Sequence, residues 1–407
     1  MLYSRYLVQA HIFLENIVGN FRLLTAAARS GAGVCAPLLL PDAGGGESSF
    51  IWPELVPVVK ADAYGHGHIE VARSLAGAGA RAFASGCAGE AAALRSGLEE
   101  SAGASRPPIL ALLGILSRED MELCAAHGII PLLSDFAQLR MLENFRFGAG
   151  LAAVAIKFNT GMSRLGFNEE ELPALCAALR SLPGLRPVLA LSHLHSADTE
   201  GGREAARAQA VVFARMLQSL RAEYPDIAAS LANSAGTFFA SDLTEIIGPH
   251  VCRPGLALYG GNPFYGTARE SSGAGTAPAM AVSAPLLAER TLPEGAGLGY
   301  GHTFRAGRAM RVGIIAAGYA DGFSRGLSNR GEVCIAGARA PVIGRVSMQM
   351  SAVDLSALPR GLEKPERAWI MGGPWARSVK AEELAAAWGS IAYEVMCTLG
   401  RNERVYV

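Results

Sequence analysis

The chain has 407 residues, half of them hydrophobic and 18% charged, and 36 Lys and Arg residues are balanced by 36 Asp and Glu residues. This composition supports a large buried core and excludes an intrinsically disordered chain, and the length predicts two domains. The zero net charge and the lack of long runs of like charge argue against nucleic-acid binding and suit a small neutral or zwitterionic substrate.

Neither an export signal nor a membrane span is expected. The first twenty residues carry Arg5 and Glu15 and lack an apolar stretch ahead of a small-residue cleavage site, and no segment reaches 18 uninterrupted apolar residues. We therefore expect a cytoplasmic protein. Seven cysteines are scattered without a C-x-x-C spacing, which favours reduced, mostly buried thiols over disulfides or a metal site.

Between residues 54 and 260 the sequence repeats one pattern: a short apolar run, a polar or Gly-marked loop, and a stretch rich in Ala and Leu. Continuous hydrophobicity is typical of parallel strands buried on both faces. Eight such units predict an α/β fold with a closed (β/α)8 barrel, and an open doubly wound sheet is the alternative. The eight runs are residues 55–59, 81–85, 109–113, 129–133, 151–157, 187–192, 228–232 and 250–253.

The positions of reactive side chains favour the barrel, since barrel enzymes place their chemistry at the carboxyl ends of the strands. Five such side chains lie at or just after the ends of these runs: Lys60, Lys157, His193, Ser234 and Arg253.

A second, mostly β domain is expected after the barrel. Residues 266–279 are small, polar and Gly-rich, which is typical of a linker, and short alternating runs broken by Gly and Pro follow it. We therefore predict a barrel domain of residues 1–270 and a β domain of residues 271–407. One helix is expected at 380–388, and RVYV at the end is expected to form a closing strand. The insertion at 41–49 is predicted to be a surface loop.

Lys60 follows four apolar residues in VPVVKADAYGHG, so its amine is expected to emerge from a strand into the mouth of the barrel. Lysine is the residue that forms Schiff bases with pyridoxal 5′-phosphate (PLP), and Tyr64 lies within reach of a phosphate held beside it. As a bare pattern, K-x-x-x-Y is also compatible with a solvated loop lysine.

The segment VVKADAYGHG resembles the PLP-lysine motif of alanine racemases, and the resemblance covers nearly the whole chain apart from the 41–49 insertion and the linker. Several further blocks match in the order of the family: KFNTGMSRLGF, SHLHSAD, ANSAG, RPGLALYG, GYGHTF, GYADGFSR, GRVSM and YEVMC. The resemblance implies a barrel plus a β domain, PLP as the cofactor, and racemisation of L- and D-alanine that supplies D-alanine for peptidoglycan.

Racemisation needs a base on each face of the substrate. The resemblance implies that Lys60 binds PLP and is one base, and that Tyr300 in GYGHTF is the other. Tyr300 lies in the predicted β domain, and the family forms head-to-tail homodimers, so the resemblance implies that Tyr300 acts in the active site of the partner subunit. The alternative from a different class is a PLP-binding protein without catalysis, but such relatives lack the β domain.

The other site residues fall into two groups by the same resemblance. A phosphate cradle is expected from loops after strands seven and eight, which hold phosphate in many barrels. Its residues are Ser234, Gly255 and Leu256, with hydroxyls from Tyr64 and Tyr393. The remaining residues orient the cofactor and the substrate: Arg253 faces the pyridine nitrogen with His193 behind it, Arg164 holds the substrate carboxylate with Met348, and Lys157, carbamylated in some relatives, supports Arg164.

Two departures from the family pattern affect specificity and loop structure. Gln349 stands where most relatives carry aspartate, which removes a negative charge beside the substrate entrance. A broad-range or serine-preferring racemase is therefore the alternative enzyme. Asn159 replaces a commoner aspartate, and we expect it to change only local hydrogen bonding.

Overall fold

The computed structural model describes residues 7–29, 38–41, 47–100, 106–143, 145, 152–360 and 367–407. The strands are β1 (Gln9–Ile12), β2 (Leu38–Pro41), β3 (Glu47–Phe50), β4 (Phe83–Ser85), β5 (Ile109–Ala111), β6 (Ile129–Leu133), β7 (Ala152–Lys157), β8 (Leu185–Leu191), β9 (Ala228–Ser230), β10 (Met280–Leu292), β11 (Gly297–Leu298), β12 (Phe304–Arg305), β13 (Met310–Ile315), β14 (Glu332–Ile335), β15 (Ala338–Ile343), β16 (Ser351–Asp354), β17 (Arg367–Met371) and β18 (Glu403–Tyr406).

The right-handed α-helices in these ranges are Leu14–Arg29, His68–Gly77, Ala88–Glu99, Arg118–His127, Phe136–Glu143, Leu172–Arg180, Gly202–Arg221, Ser234–Thr237, Ala240–Ile247, Ala381–Trp388 and Ala392–Leu399. Across the described parts of the chain, no helix combines the length and the apolar character needed to cross a membrane.

The first unit is the predicted barrel. Strands β4 to β9 form one parallel sheet in sequence order. Two short segments close it, because Val59 donates a backbone hydrogen bond to Ala84 (2.8 Å), Val56 to Cys252 (2.8 Å) and Val251 to Ala229 (2.8 Å). The eight segments form a ring in the predicted order, and the expected barrel is confirmed.

Burial explains why these segments form strands and helices. Every residue of β4, β5, β6 and β9 is buried, as expected for strands covered on both faces. The long helix Gly202–Arg221 buries one stripe that includes Ala206, Phe213 and Leu217, because an amphipathic helix turns one face to the core.

The second unit is a mostly antiparallel sheet of eight strands, in the order β13-β16-β15-β14-β17-β10-β1-β18. Strand β10 spans 13 residues and pairs with β1, β13 and β17. A bulge near Leu286 interrupts its pairing with β13. Strand β1 comes from the start of the chain, yet it lies in this sheet and pairs in parallel with β18. The helix predicted at 380–388 and the closing strand are both present.

The insertion and the linker are more ordered than the sequence suggests. Strands β2 and β3 pair as an antiparallel hairpin, so the predicted surface loop is replaced at both ends by strand; residues 42–46 lie outside the described residues. The linker is tied to the first helix, because the Asn20 side chain donates to the Ala277 carbonyl (2.8 Å) and accepts from the Ala277 amide (2.7 Å). The division into residues 1–270 and 271–407 stays a prediction.

Candidate active site

Lys60 lies at the mouth of the barrel, where the segment bonded to β4 ends. The next four residues, Ala61 to Tyr64, form a left-handed helical turn with φ between 52° and 55°. None of them is glycine, and the left-handed conformation costs other L-residues roughly 1–2 kcal/mol each. Lys60 remains accessible to solvent, but burial against the surrounding walls and the nearby Arg164 guanidinium lower the pKa of its amine.

A compact cradle lies beside this turn, where the loops after the seventh and eighth barrel segments converge. The Ser234 hydroxyl accepts the backbone N–H groups of Gly255 (3.0 Å) and Ala257 (3.2 Å), and Leu256 begins a short buried turn. The Tyr64 phenol lies against the Cα of Gly255, so a methyl group added there would overlap its hydroxyl. Backbone N–H groups, a serine and a phenol at one point form a site suited to a phosphate.

Two tyrosines reach this cradle. The rings of Tyr64 and Tyr393 lie 5.9 Å apart. Burial raises the pKa of Tyr64 well above its ordinary value, and burial followed by the nearby Asp198 carboxylate raises the pKa of Tyr393 to about 12. Both phenols are therefore protonated at neutral pH and are available to donate hydrogen bonds.

Arg253 is 5% exposed and follows the eighth barrel segment. Its guanidinium donates to the Ser230 hydroxyl and to the Ser192 carbonyl (2.5 Å), neither of which is a carboxylate. Burial lowers its pKa to about 10, so the group remains charged at neutral pH. The residue is thus a fixed, buried cation.

His193 and Lys157 lie near the same cations. Burial, followed by the Arg253 charge, lowers the pKa of His193 to about 3, so its imidazole is neutral at pH 7. Burial and the Arg253 and Arg164 charges lower the pKa of Lys157 to about 8. This concentration of positive charge suits a ligand that carries phosphate and carboxylate groups.

The loop that carries Arg164 follows β7 and is shaped by Asn159. The Asn159 side-chain oxygen accepts the backbone N–H groups of Gly161 (3.2 Å) and Ser163 (2.9 Å), and its amide donates to Asn168 (2.9 Å). Arg164 itself is exposed and lies close enough to Lys60 to affect its pKa.

Tyr300 and Met348 are not part of this cluster within one chain. Tyr300 is 70% exposed and Met348 is 58% exposed. The glycines on both sides of Tyr300 lie close to Arg345, in the loop after β15. The structure therefore gathers the other predicted site residues at the barrel mouth and leaves these two on an open face of the β sheet unit.

Comparison with known proteins identifies the family. The N-terminal domain of alanine racemase matches residues 51–263 and the C-terminal domain matches residues 279–406. An alanine racemase of Nitratidesulfovibrio vulgaris is 47% identical over 349 residues, which are 86% of this chain and 90% of that protein. The chain belongs to the alanine racemase family.

Two further alanine racemases add detail. A relative in Rhizobium johnstonii, 38% identical over 86% of this chain and 87% of its own length, is described as a catabolic alanine racemase. The crystal structure of the Bartonella henselae alanine racemase has covalently bound pyridoxal phosphate, and it matches with a TM-score of 0.79 and 27% identity over 98% of this chain and 99% of that one. This chain is accordingly an enzyme of the alanine racemase type.

The residues of this alanine racemase chain fit PLP. Lys60 begins the turn whose Tyr64 packs against the cradle, and a methyl group at position 255 would overlap the Tyr64 hydroxyl. The nearby Arg164 and Arg253 charges complement a phosphate. The roles of the individual site residues stay predictions.

Three polar residues of the site were not singled out from the sequence: Asp62 inside the lysine motif, and Glu90 and Arg404, which both bind it. Glu90 had a recognisable signal, because an acidic residue three positions after the N-cap, here Cys87, commonly binds nearby backbone N–H groups. Arg404 lies 342 positions from Asp62, and no local pattern links them.

Proposed function

We propose that this chain is a PLP-dependent racemase that interconverts L- and D-alanine with two bases. The observation that carries the proposal is the position of Lys60 at the barrel mouth, directly after the buried segment. It begins the turn whose Tyr64 packs against Gly255 of the Ser234 cradle. When bound, PLP withdraws electrons from the attached amino acid and makes its α-proton acidic.

The cradle residues bind the phosphate. Tyr64 and Tyr393 donate hydroxyl hydrogen bonds, and the Gly255 and Leu256 backbone N–H groups together with the Ser234 hydroxyl complete the set. In the structure the Gly255 N–H donates to the Ser234 hydroxyl, and a bound phosphate oxygen is a stronger acceptor for the same N–H group.

Lys60 holds the cofactor covalently and serves one face of the substrate as a base. Its lowered pKa increases the fraction of neutral amine, which is the form that accepts a proton. Tyr300 serves the opposite face. Arg164, with two adjacent donors, and the Met348 backbone hold the substrate carboxylate.

Arg253 limits side reactions. A guanidinium cannot accept a proton, and its fixed positive charge opposes protonation of a ring nitrogen placed next to it. His193 is neutral in this setting, so it supports Arg253 without adding charge. With PLP bound, the Arg253 charge would weaken electron withdrawal by the ring and so favour return of the proton over transamination.

The active site is shared between two subunits of a homodimer. Tyr300 and Met348 are large exposed residues, and Tyr319 is 44% exposed. The backbone N–H groups of Tyr319 and Ala320 bind the Ser347 (3.0 Å) and Met348 (2.9 Å) carbonyls, which joins Tyr319 to Met348. The glycines on both sides of Tyr300 lie close to Arg345, three residues before Met348. These residues cover the barrel mouth of the partner and bring Tyr300 to the partner's cofactor.

The experiment is a chiral assay with a peptide map. The purified chain should convert L-alanine into a racemic mixture, and borohydride reduction should fix the cofactor on the peptide that contains Lys60. The Lys60→Ala variant should lose both the conversion of L-alanine and the reduced cofactor adduct. A reduced adduct on another lysine, or no conversion by the loaded wild-type chain, would refute the proposal.

In the cell, the product is D-alanine for peptidoglycan, made in the cytoplasm. The Rhizobium johnstonii relative is described as catabolic, which gives a second role, the use of alanine as a nutrient. A strain that lacks the chain distinguishes the two roles. The biosynthetic role predicts a D-alanine requirement on every carbon source, and the catabolic role predicts failure only when one enantiomer of alanine is the carbon source.

A further inference from the structure

The left-handed turn after Lys60 requires contacts that hold it. Four successive residues without glycine, Ala61 to Tyr64, all have positive φ. Single residues adopt this conformation readily only when they are Gly, Asn or Asp, and runs of it are rare in L-peptides. Because Lys60 is joined directly to the turn, any relaxation of the turn changes the direction in which the lysine amine leaves the barrel wall.

One set of contacts comes from inside the barrel. The Glu90 carboxylate accepts the backbone N–H of Asp62 with one oxygen (2.8 Å). Its other oxygen accepts the backbone N–H of Gly86 (2.8 Å) and the Ser85 hydroxyl (3.0 Å) at the end of β4. Glu90 therefore ties the turn to the neighbouring barrel strand.

A second set of contacts binds the Asp62 carboxylate, and one of its members comes from the β sheet unit. One oxygen of the Asp62 carboxylate accepts the His68 backbone N–H (2.8 Å), and the His68 ring Nδ1 lies 2.8 Å from it. The other oxygen is bound by the Arg404 guanidinium from β18, whose Nε also donates to the Gly400 carbonyl (3.0 Å).

These contacts also lower the pKa of the Asp62 carboxyl group. Burial alone would raise the pKa of Asp62, but the His68 hydrogen bonds and the Arg404 charge together hold it well below its usual range. Asp62 is thus an anion throughout the working pH range.

We propose that Arg404 is a positioning residue for Lys60: by binding the Asp62 carboxylate from the last strand of the β sheet unit, it holds the left-handed turn that directs the lysine amine. The inference rests on the proposed role of Lys60. Arg404 touches neither cofactor nor substrate in this scheme, and it acts through Asp62 alone.

The segment that carries Arg404 packs closely against the turn and the residues that follow it. Side chains of β18 leave room only for glycine at position 67, because a methyl group there would overlap the Tyr406 hydroxyl and crowd Arg404. Gly65 and Gly400 are also in close backbone contact. The turn therefore lies directly against the segment that carries Arg404. Because Asp62 is itself part of the turn, loss of its ion pair with Arg404 removes a contact of the turn directly.

The test uses the full-length, PLP-loaded chain and the variants Arg404→Met, Arg404→Lys and Asp62→Asn. For Arg404→Met we expect kcat for alanine to fall by about 10-fold to about 100-fold with KM changed by less than about 2-fold, because displacement of a reacting group costs turnover. The visible circular dichroism of the bound cofactor, which reports how it is held, should change in shape. Arg404→Lys keeps the charge and should recover part of both signals.

A double-mutant cycle tests the route through Asp62. If Arg404 acts through that carboxylate, Arg404→Met should cause little further loss in the Asp62→Asn chain. The matched control is Arg311→Met, which removes an arginine of the same sheet that pairs with Glu289 (2.6 Å) and binds the Leu358 carbonyl. The control should lower thermal stability and leave kcat and the dichroism unchanged.

Two outcomes overturn the inference. Arg404→Met could lose thermal stability while keeping wild-type kcat and dichroism, which would make Arg404 purely structural. Alternatively, the losses of kcat caused by Arg404→Met and Asp62→Asn could be additive, which would show that Arg404 does not act through Asp62. A failure of the proposed function is separate, because the loaded wild-type chain would then fail to racemise alanine or would carry the reduced adduct on another lysine.

Discussion

At the scale of single residues, Lys157 is the clearest case of a side chain that its surroundings disfavour as a cation. It is 8% exposed, and the charged groups that act on its pKa are Arg253, Arg164 and Lys60, all positive. A pKa of about 8 leaves a substantial neutral fraction at pH 7.5 and above. A neutral amine reacts with carbon dioxide, and the resulting carbamate would bring a negative charge among three cations.

Lys157 should therefore carry a carbamate whose occupancy rises as pH increases through about 8, because deprotonation supplies the reactive amine. Protein equilibrated with ¹³C-bicarbonate should show a carbamate carbon signal at pH 8.5 that weakens at pH 6. Lys157→Met should remove the signal. Its persistence in that variant would assign it to another amine.

Gln349 is exposed next to Met348, where an aspartate would add a negative charge near the entrance to the proposed site. Two charges about 4 Å apart in water interact by about 1 kcal/mol, which is roughly fivefold in rate. Gln349→Asp should therefore lower kcat/KM for aspartate by about fivefold relative to alanine. Gln218→Asp, on the outer face of the long helix, is the matched control. Equal ratios in both variants would remove Gln349 from substrate selection.

At the scale of elements, the turn that begins at Gly255 decides whether a phosphate can enter. Its N–H groups point to Ser234, and Tyr64 packs against its Cα. Because Gly255 has no side chain, the Tyr64 phenol can pack directly against its backbone.

Gly255→Ala should weaken PLP binding by about 10-fold or more, because overpacking costs about 1–3 kcal/mol and the methyl group displaces the Tyr64 hydroxyl. Titration of cofactor-free protein with PLP, followed by absorbance, measures the affinity. Gly89→Ala is the control, since nothing lies within 4 Å of a methyl group there. An unchanged affinity in Gly255→Ala would show that the phosphate lies elsewhere.

Sequence patterns predicted the elements that depend on local periodicity. The apolar run at 129–133 is β6 residue for residue, because a strand buried on both faces has a continuous apolar sequence. The left-handed turn after Lys60 was not predicted, since none of its residues is glycine and the contacts that hold it come from distant Glu90 and Arg404. The place of β1 in the second sheet depends on partners about 270 and 390 residues away, which no local pattern reports.

At the scale of the whole molecule, the cluster around Lys60 and the open face around Tyr300 are two halves of a proposed site in one chain. A closed two-fold pair makes two complete sites from such halves. The linker between the units is held to the first helix through Asn20, and β1, just before that helix, lies in the second sheet.

Mixed dimers of Lys60→Ala and Tyr300→Phe chains should recover about a quarter of wild-type activity. Random exchange makes about half of the dimers mixed, and each mixed dimer has one site with both good residues. Each parent alone should be nearly inactive. Mixing Lys60→Ala with a Lys60→Ala/Tyr300→Phe chain is the control and should restore nothing. No recovery in the first mixture, with subunit exchange shown by mass spectrometry, would place both bases in one chain.

The pairing of Arg404 with Asp62 also bears on the order in which the protein is made. The ribosome adds Asp62 342 residues before it adds Arg404, and β18 is also the parallel partner of β1. Domains commonly fold in the order of their synthesis. A nascent chain can therefore form its barrel while the Lys60 turn is still without its Arg404 partner. In that interval the turn lacks the Arg404 contact, so the final direction of the lysine is set only after translation of the last strand.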